Sequence, residues 1–392
     1  MIQNFVNRIS YIKRYYLVRY LIDYRIQPNK MKIIFGICSW GLGHATRSLP
    51  IIRKLIYENN ELTIISHGRS LELLKKELGA DIKYFDIPDY PMLLSENSRQ
   101  FLAKSVVYWP SFIKSMESEL QKLKKILEKQ KCDRIISDSR YGLYSRSIPS
   151  FFISHQIRIM NPLRINMFER GSEIFNLFFF KRYAGVIIPD YKDDNLSGDL
   201  SHNLRRIDEN KIHYVGVLSD FKKRKTKKDI DYLISISGPE PQRTMLEKKL
   251  VSQVNDLNGK IVITLGKTEK NDILNKKNIE SYSFLSKEKR EDFLNRTKLV
   301  ISRSGYSTIM DLAVIGTKAL MIPTPGQIEQ EYLGQYHNKI KTFFSVNQDS
   351  VNLKRDVDEA LKRTGIKRKC DVEKSVDNII NVITTVERSP FA

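Results

Sequence analysis

The strongest constraint on the fold is an alternation of short apolar runs with segments of helical period, which begins at Met31. MKIIFGI (31–37) is a β-like run, a glycine-bearing turn follows it, and SLPIIRKLIYE (48–58) has the apolar spacing of an amphipathic helix. The same order recurs in ELTIISH (61–67) and SLELLKKELG (70–79). Strands that alternate with helices predict a parallel sheet covered by helices on both faces.

The alternation starts again after a basic link, DFKKRKTKKD (220–229). The strands predicted beyond it are DYLISIS (231–237), KIVITLG (260–266), YSFLS (282–286), LVISRSG (299–305) and KALMIPTP (318–325). We therefore expect an α/β protein of two Rossmann-like domains that face each other across a cleft. A nucleotide is expected at the strand ends that line this cleft.

These patterns divide the chain into a basic extension (1–30), an N-terminal domain (31–215), a C-terminal domain (216–370) and a last helix (371–392). The last helix is expected to pack back on the first domain. Two interpretations of the extension stay open. It is either a spurious extension before a true start at Met31, or a basic amphipathic helix that lies on a membrane surface.

Composition narrows the class of protein. A length of 392 residues favours two domains, and no uninterrupted apolar run reaches the roughly 18 residues of a membrane span. Three distant cysteines without a CxxC pair argue against a zinc site or a disulfide framework and favour a cytoplasmic protein. The net charge of +21 favours anionic ligands, although a general Lys, Ile and Asn bias explains it equally well.

The first glycine-bearing turn is a candidate ligand loop. Gly41 and Gly43 lie between the first strand and the first helix, where glycine lets a ligand approach the backbone. Thr46 stands where a dinucleotide loop has its third glycine, and the second strand ends without a ribose-binding acid, so a dehydrogenase is disfavoured. His44 lies at the mouth of the helix and is a candidate general base. The alternative is a histidine that only hydrogen-bonds a loop carbonyl.

A second candidate site follows the strand LVISRSG in the C-terminal domain. Hydroxyls and backbone N–H groups at the start of the next helix are suited to a diphosphate, and Asp311 to the two hydroxyls of a ribose. Glu329 and Gln330 follow a Pro-Gly turn and are suited to the hydroxyls of a sugar. The diphosphate candidates are Ser304, Gly305, Ser307 and Thr308.

From Met31 onward the sequence resembles the GT-B glycosyltransferases, in particular the family 28-like group with the peptidoglycan lipid N-acetylglucosaminyltransferase and the UDP-glycosyltransferases. The family signature is a Gly turn, hydroxyl residues, an acid six positions after the Gly, a Pro-rich strand and an acid/amide-Gln pair. Here it is formed by Gly305, Ser307, Thr308, Asp311, Pro323 and Glu329-Gln330. The family usually has Glu where this chain has Asp311.

The resemblance implies roles for these residues. Asp311 would bind the ribose, Glu329 and Gln330 the donor sugar, and Leu285 would lie beside the uracil. Ser304, Gly305 and Thr308 would hold the diphosphate, which Gly238 and Arg243 would also approach from a second turn. On the acceptor side the family has a loop like the one at Gly41 and Gly43, with His44 as general base. Asp138 would orient His44 or act as the base itself, beside His155 and Gln156.

The function expected from the resemblance is transfer of a hexose or N-acetylhexosamine from a UDP-sugar to an acceptor hydroxyl. The reaction would invert the anomeric carbon and use no metal, and no cofactor is expected beyond the UDP-sugar donor. The acceptor is a lipid-linked compound, a small molecule or a glycan, and a nucleic-acid partner is not expected. A nucleotide-sugar epimerase of the same fold and a non-catalytic nucleotide-binding protein are the alternatives.

The localisation expected is cytoplasmic, with peripheral contact at the inner face of a membrane as a further possibility. Residues 158–184 bear on this, because they mix Phe and Met with Arg and Lys. Such a segment is either a patch at a membrane interface or a buried helix with basic ends.

Overall fold

The computed structural model describes residues 30–91, 98–161, 166–204, 209–267, 274–276 and 278–386. Within these ranges the chain forms two seven-stranded sheets, one in each half. The basic extension, apart from Lys30, lies outside the described residues.

The N-terminal half is built on a parallel sheet of strand order β3-β2-β1-β4-β5-β6-β7. Its strands are β1 (Lys32–Ile37), β2 (Glu61–Ser66), β3 (Lys83–Asp86), β4 (Arg134–Asp138), β5 (Ser150–Ile153), β6 (Gly185–Ile188) and β7 (Ile212–Tyr214). Its helices are α1 (Gly43–Tyr57), α2 (Gly68–Leu78), α3 (Ser98–Leu127) and α4 (Asn166–Phe180).

The C-terminal half repeats this plan, with strand order β10-β11-β9-β8-β12-β13-β14. Its strands are β8 (Ile230–Ser235), β9 (Ile261–Thr264), β10 (Leu274–Lys276), β11 (Ile279–Tyr282), β12 (Thr297–Ser302), β13 (Lys318–Met321) and β14 (Phe344–Ser345). Its helices are α5 (Gln242–Val251), α6 (Lys287–Arg296), α7 (Tyr306–Ile315), α8 (Ile328–Lys339), α9 (Leu353–Leu361) and α10 (Val372–Thr385). The two parallel α/β halves confirm the predicted fold class.

The central strands are buried on both faces, as the near-continuous apolar runs require. In β1, for example, Ile33 to Ile37 are all buried. The order of the strands reverses beside β1 in the first sheet and beside β8 in the second. Ligands of open α/β sheets bind at the carboxyl ends of strands at such a reversal. The loops after β1, β4, β8 and β12 are therefore the candidate ligand loops.

Two details of the C-terminal half differ from the sequence analysis. The pair β10–β11 is antiparallel, which the alternation of strands and helices does not predict. The strand predicted at 282–286 is wrong, because the strand ends at Tyr282. Ser286 instead caps α6 by accepting a hydrogen bond from the Lys289 N–H, and the side chain of Leu285 is buried against a pocket.

The two halves share a continuous apolar interface. One cluster of buried side chains runs from Ile52 and Leu55 of α1 to Met310 and Ala313 of α7. Helix α10, at the end of the described chain, contacts α1 of the N-terminal half. The carbonyl of Ile383 in α10 accepts a hydrogen bond of 3.0 Å from Nε of Arg134.

Helix α4 is a surface helix with two apolar sides. Its inner side packs Phe179 and Phe180 into the N-terminal half. On its outer side Met167 is 72% exposed and Phe178 60% exposed. Helix α4 is thus buried on one side and exposed on the other, so both interpretations of 158–184 stay open. No helix of the described residues is long and apolar enough to cross a membrane.

Candidate active site

A histidine and a carboxylate meet at the carboxyl ends of β1 and β4. The two strands pair with Ile37 beside Asp138, so the loop after β1 returns to the end of β4. Nδ1 of His44, in the first turn of α1, lies 2.8 Å from Oδ1 of Asp138. The side chain of His44 is 18% exposed, whereas that of Asp138 is fully buried. A ligand in the cleft can therefore reach His44 but not Asp138.

Arg47, which the sequence analysis did not single out, neutralises Asp138. It lies one turn after His44 on the same face of α1, and both its Nε and its Nη2 donate to the carboxylate, Nε at 2.8 Å. The hydroxyl of Ser48 donates to the same carboxylate at 3.0 Å. Burial acts to raise the pKa of Asp138, but Arg47 and His44 hold this pKa well below its usual value. The sequence did contain a signal for Arg47, because residues at i and i+3, such as His44 and Arg47, lie on the same face of a helix.

His155, at the end of β5, joins this cluster to the C-terminal half. Its ring stacks on Tyr306 of α7, with ring centroids 4.2 Å apart and planes within 5° of parallel. Nδ1 lies 3.1 Å from Nη1 of Arg47. Nε2 lies 3.1 Å from Oε1 of Glu329, a close polar contact whose geometry falls short of a hydrogen bond. Glu329 is thus brought next to the N-terminal cluster.

The other acceptor-side prediction, Gln156, is only partly buried beside His155. Its backbone N–H donates to the hydroxyl of Ser154 at 3.0 Å and its carbonyl accepts from the same hydroxyl. These bonds fix the backbone of the turn after β5.

The C-terminal half contains a small pocket at the ends of β8, β9 and β12. It brings Leu285 together with Thr308 and Asp311, which lie more than twenty positions further along the chain. The remaining residues that line it are Leu233, Ser235, Thr264, Arg290, Leu294, Val300, Ser302 and Leu312. The pocket thus combines apolar walls with a carboxylate, a guanidinium and hydroxyls, the mixture of groups that is typical of small-molecule sites.

The N-termini of α1 and α7 meet between the two halves. A Cβ atom on Gly43, the first residue of α1, would lie 2.6 Å from Oγ of Ser307 in α7. Only glycine permits this approach without a shift of Ser307. Gly305 is the N-cap residue of α7, and Gly41 has a φ of +89° in the loop before α1. Two helix N-termini at one place favour a bound anion.

Two other predicted residues hold the loops of the C-terminal half together. The buried hydroxyl of Ser304 donates to the carbonyl of Gln330 at 2.7 Å. Oε1 of Gln330 accepts a hydrogen bond of 2.9 Å from the Thr324 N–H. Both side chains therefore fix the position of the loop after β13 relative to the loop after β12.

The side chain of Arg243, which is predicted to approach a diphosphate, already has partners within the protein. Its guanidinium forms ion pairs with Glu240 and Glu247 and donates to the carbonyl of Leu265. Gly238 has a φ of +119°, a conformation that glycine adopts without strain. No three His, Cys, Asp or Glu side chains of the described residues form a group suited to a metal ion.

The carboxyl group of Asp311 has a raised pKa. Burial raises its pKa to about 6, against the opposing effects of the Arg290 charge and a hydrogen bond from Ser219. This pKa lies above the value near 4 expected in the unfolded chain, so folding favours the protonated form. Above pH 7 the buried charge is expected to lower the free energy of unfolding by about 3 kcal/mol.

We therefore expect Asp311→Asn to stabilise the protein at neutral pH. The free energy of unfolding of the wild type should fall, relative to that of the variant, between about pH 4 and pH 7. Urea unfolding of both proteins at several pH values measures this difference. A difference that does not change with pH would contradict the raised pKa of Asp311.

Comparisons with known proteins agree on one fold. Residues 222–364 match the family model of the glycosyltransferase family 28 C-terminal domain, and residues 31–150 match that of glycosyl transferase family 1. An uncharacterized glycosyltransferase of Methanosarcina acetivorans is 23% identical over 318 residues, which cover 77% of this chain and 80% of the relative.

Solved structures agree with these matches. MurG of Acinetobacter baumannii superposes with a TM-score of 0.55 at 13% identity, over 90% of this chain and 99% of that one. UGT89C1 of Arabidopsis thaliana, complexed with UDP-L-rhamnose, superposes with a TM-score of 0.58 at 14% identity, over 90% and 98% of the two chains. At these identities the superpositions show a shared fold.

Proposed function

This chain is a glycosyltransferase of the GT-B type with a family 28 C-terminal domain, and on that premise we propose that it uses a UDP-sugar. It moves a hexose or N-acetylhexosamine to an acceptor hydroxyl, with inversion of the anomeric carbon and without a metal ion. The observation that carries this proposal is the pocket that joins Leu285, Thr308 and Asp311. The UDP-L-rhamnose bound to a protein of the same fold supports a UDP donor.

In this pocket the apolar side chains receive the base and Asp311 accepts the ribose hydroxyls. The diphosphate then extends toward the N-terminus of α7, where Thr308 lines the pocket and Ser307 faces Gly43. Backbone N–H groups and helix dipoles stabilise the negative charge that develops on the leaving UDP. Glu329 and Gln330, at the start of α8, lie on the side of the donor sugar.

His44 is the general base of the proposed reaction. Nδ1 of His44 lies 2.8 Å from Oδ1 of Asp138 and 2.9 Å from Nη2 of Arg47. We assign the proton of the neutral ring to Nδ1, because a carboxylate can only accept. This arrangement leaves Nε2 free to take a proton. The acceptor oxygen attacks the anomeric carbon, its proton passes to Nε2, and the bond from that carbon to the UDP oxygen breaks. A single displacement of this kind inverts the anomeric configuration.

Asp138 orients His44 and is not itself the base. It is fully buried and accepts hydrogen bonds from His44, Arg47 and Ser48. A carboxylate with these partners and a lowered pKa has little tendency to take up a further proton.

The outer side of α4 supports a lipid-linked acceptor over a water-soluble one. Its exposed apolar residues repeat with helical spacing, and Arg170 and Lys181 lie at its edges. Such a side suits peripheral contact with an anionic membrane. A transfer assay with a polyprenyl-phosphate-linked sugar in anionic vesicles, beside soluble glycosides, separates the two classes. Transfer to soluble glycosides alone would contradict the lipid acceptor.

Calorimetric titration with UDP, UMP, GDP and NADPH tests the donor site. We expect selective binding of UDP, which Asp311→Ala weakens by more than about tenfold because a charged hydrogen bond to the ribose is lost. Asp358→Ala, which removes an exposed carboxylate on α9, is the matched control and should leave binding unchanged. No UDP binding, or binding indifferent to Asp311→Ala, would overturn the proposed donor. Conversion of a UDP-sugar without UDP release would indicate an epimerase instead.

A further inference from the structure

The segment that joins the two halves contacts Asp311, a residue that lines the proposed nucleotide pocket. Ser219 lies in this segment, between β7 and β8, and is buried. Its Oγ accepts a hydrogen bond of 3.2 Å from the Phe221 N–H and lies 2.6 Å from Oδ1 of Asp311. Because a backbone N–H already donates to this hydroxyl, its own hydrogen is available for the carboxylate.

Contacts on either side hold Ser219 in place. The N–H of Leu218 donates to the sulfur of Met310, the residue before Asp311. The carboxylate of Asp220 bridges Arg53 of the N-terminal half and Lys287 of the C-terminal half. Since Arg53 lies on α1, the helix that carries His44, the position of Ser219 depends on how the two halves meet.

Asp311 needs such a partner more than a glutamate would. Its side chain is one methylene shorter, so it reaches less far and depends more on its orientation. In the described part of the chain, Oδ2 accepts no hydrogen bond, and Asp311 lines the pocket. A bond to Oδ1 alone thus fixes the plane of the carboxylate and leaves the other oxygen for a ligand.

We propose that Ser219 is a positioning residue for nucleotide binding, whose hydroxyl holds Oδ1 of Asp311 so that Oδ2 accepts a ribose hydroxyl. This inference rests on the proposed function, since it takes the ligand to be the UDP part of the donor. It adds a residue outside the family signature and links nucleotide binding to the junction between the halves.

Calorimetric titration of UDP into Ser219 variants tests the proposal. Ser219→Ala is expected to raise the Kd for UDP by about tenfold, which corresponds to about 1.4 kcal/mol. Ser219→Thr keeps the hydroxyl and should restore most of the affinity. Ser252→Ala removes an exposed serine hydroxyl of the C-terminal half and is the matched control.

A double variant separates positioning from a general structural role. In an Asp311→Asn background, Ser219→Ala should cause no further loss of UDP affinity, because the group it orients is already changed. A carbon-13 NMR titration of the Asp311 carboxyl should show a higher pKa in Ser219→Ala than in the wild type, since a donor to the charged form is lost.

The outcomes distinguish the two proposals. A wild type that does not bind UDP overturns the proposed donor and this inference with it. A wild type that binds UDP, with Ser219→Ala binding within twofold of it, overturns the inference alone. The inference is also overturned if Ser219→Ala weakens UDP binding by the same factor in the Asp311→Asn background as in the wild type. An Asp311 pKa that is the same in Ser219→Ala as in the wild type overturns it as well.

Discussion

His44→Ala is expected to lower kcat by about 10²–10⁴-fold, the usual contribution of a positioned general base. The affinity for UDP should stay within about twofold of the wild type, because His44 lies outside the pocket that contains Asp311. Steady-state rates of UDP release, with the acceptor identified by the vesicle and glycoside assays, measure kcat. Calorimetry on the same samples measures UDP affinity.

The chain provides a matched control for this variant. His67 also precedes a helix at the end of a strand, and its Nδ1 lies 2.6 Å from Oδ1 of Asp86. That pair is exposed and lies at the edge of the sheet, so His67→Ala should leave kcat unchanged. A His44→Ala variant that keeps a third or more of the wild-type kcat would show that another group removes the proton.

Arg47→Ala is expected to lower the free energy of unfolding by about 3–5 kcal/mol, because it leaves the buried charge of Asp138 without its main partner. The lowered pKa of Asp138 means that this pair stabilises the wild type above pH 4. That stabilisation is lost as the pH falls through the folded-state pKa, so the variant should differ most at neutral pH. Urea unfolding at pH 7 measures the loss.

Two further variants test the cause of this loss. Arg296→Ala removes a partly exposed arginine that pairs with Asp229 and Asp292, and should cost less than about 1 kcal/mol. Arg47→Met combined with Asp138→Leu removes both buried charges and should recover most of the stability. A loss below about 1 kcal/mol in Arg47→Ala alone would contradict the buried ion pair.

Much of the site could be predicted because it depends on local patterns. The resemblance to the glycosyltransferase family placed Asp138 beside His44, and the structure brings them together because parallel strands carry their loops at one edge. The same resemblance assigned Leu285, Thr308 and Asp311 to the nucleotide, and the structure gathers them in one pocket. These predictions depended on motif residues and their spacing, which short segments of sequence contain.

The prediction that failed concerns a segment whose environment is set from a distance. The end of the strand near Tyr282 depends on the cap that Ser286 provides for α6. The pairing of Arg243 with Glu240 and Glu247 was likewise not visible in the sequence. The periodicity of a sequence does not show which side chains pair with one another in the folded protein.

By itself the sequence determined the two α/β halves, the ligand loops and the glycosyltransferase signature, because helical and strand periods are local properties of the chain. Only the tertiary structure decided that Arg47 neutralises Asp138, that His155 stacks on Tyr306 and that Ser219 reaches Asp311. Each of these contacts joins residues from separate elements. Buried polar groups take the partners that packing brings within reach, and that packing depends on the whole fold.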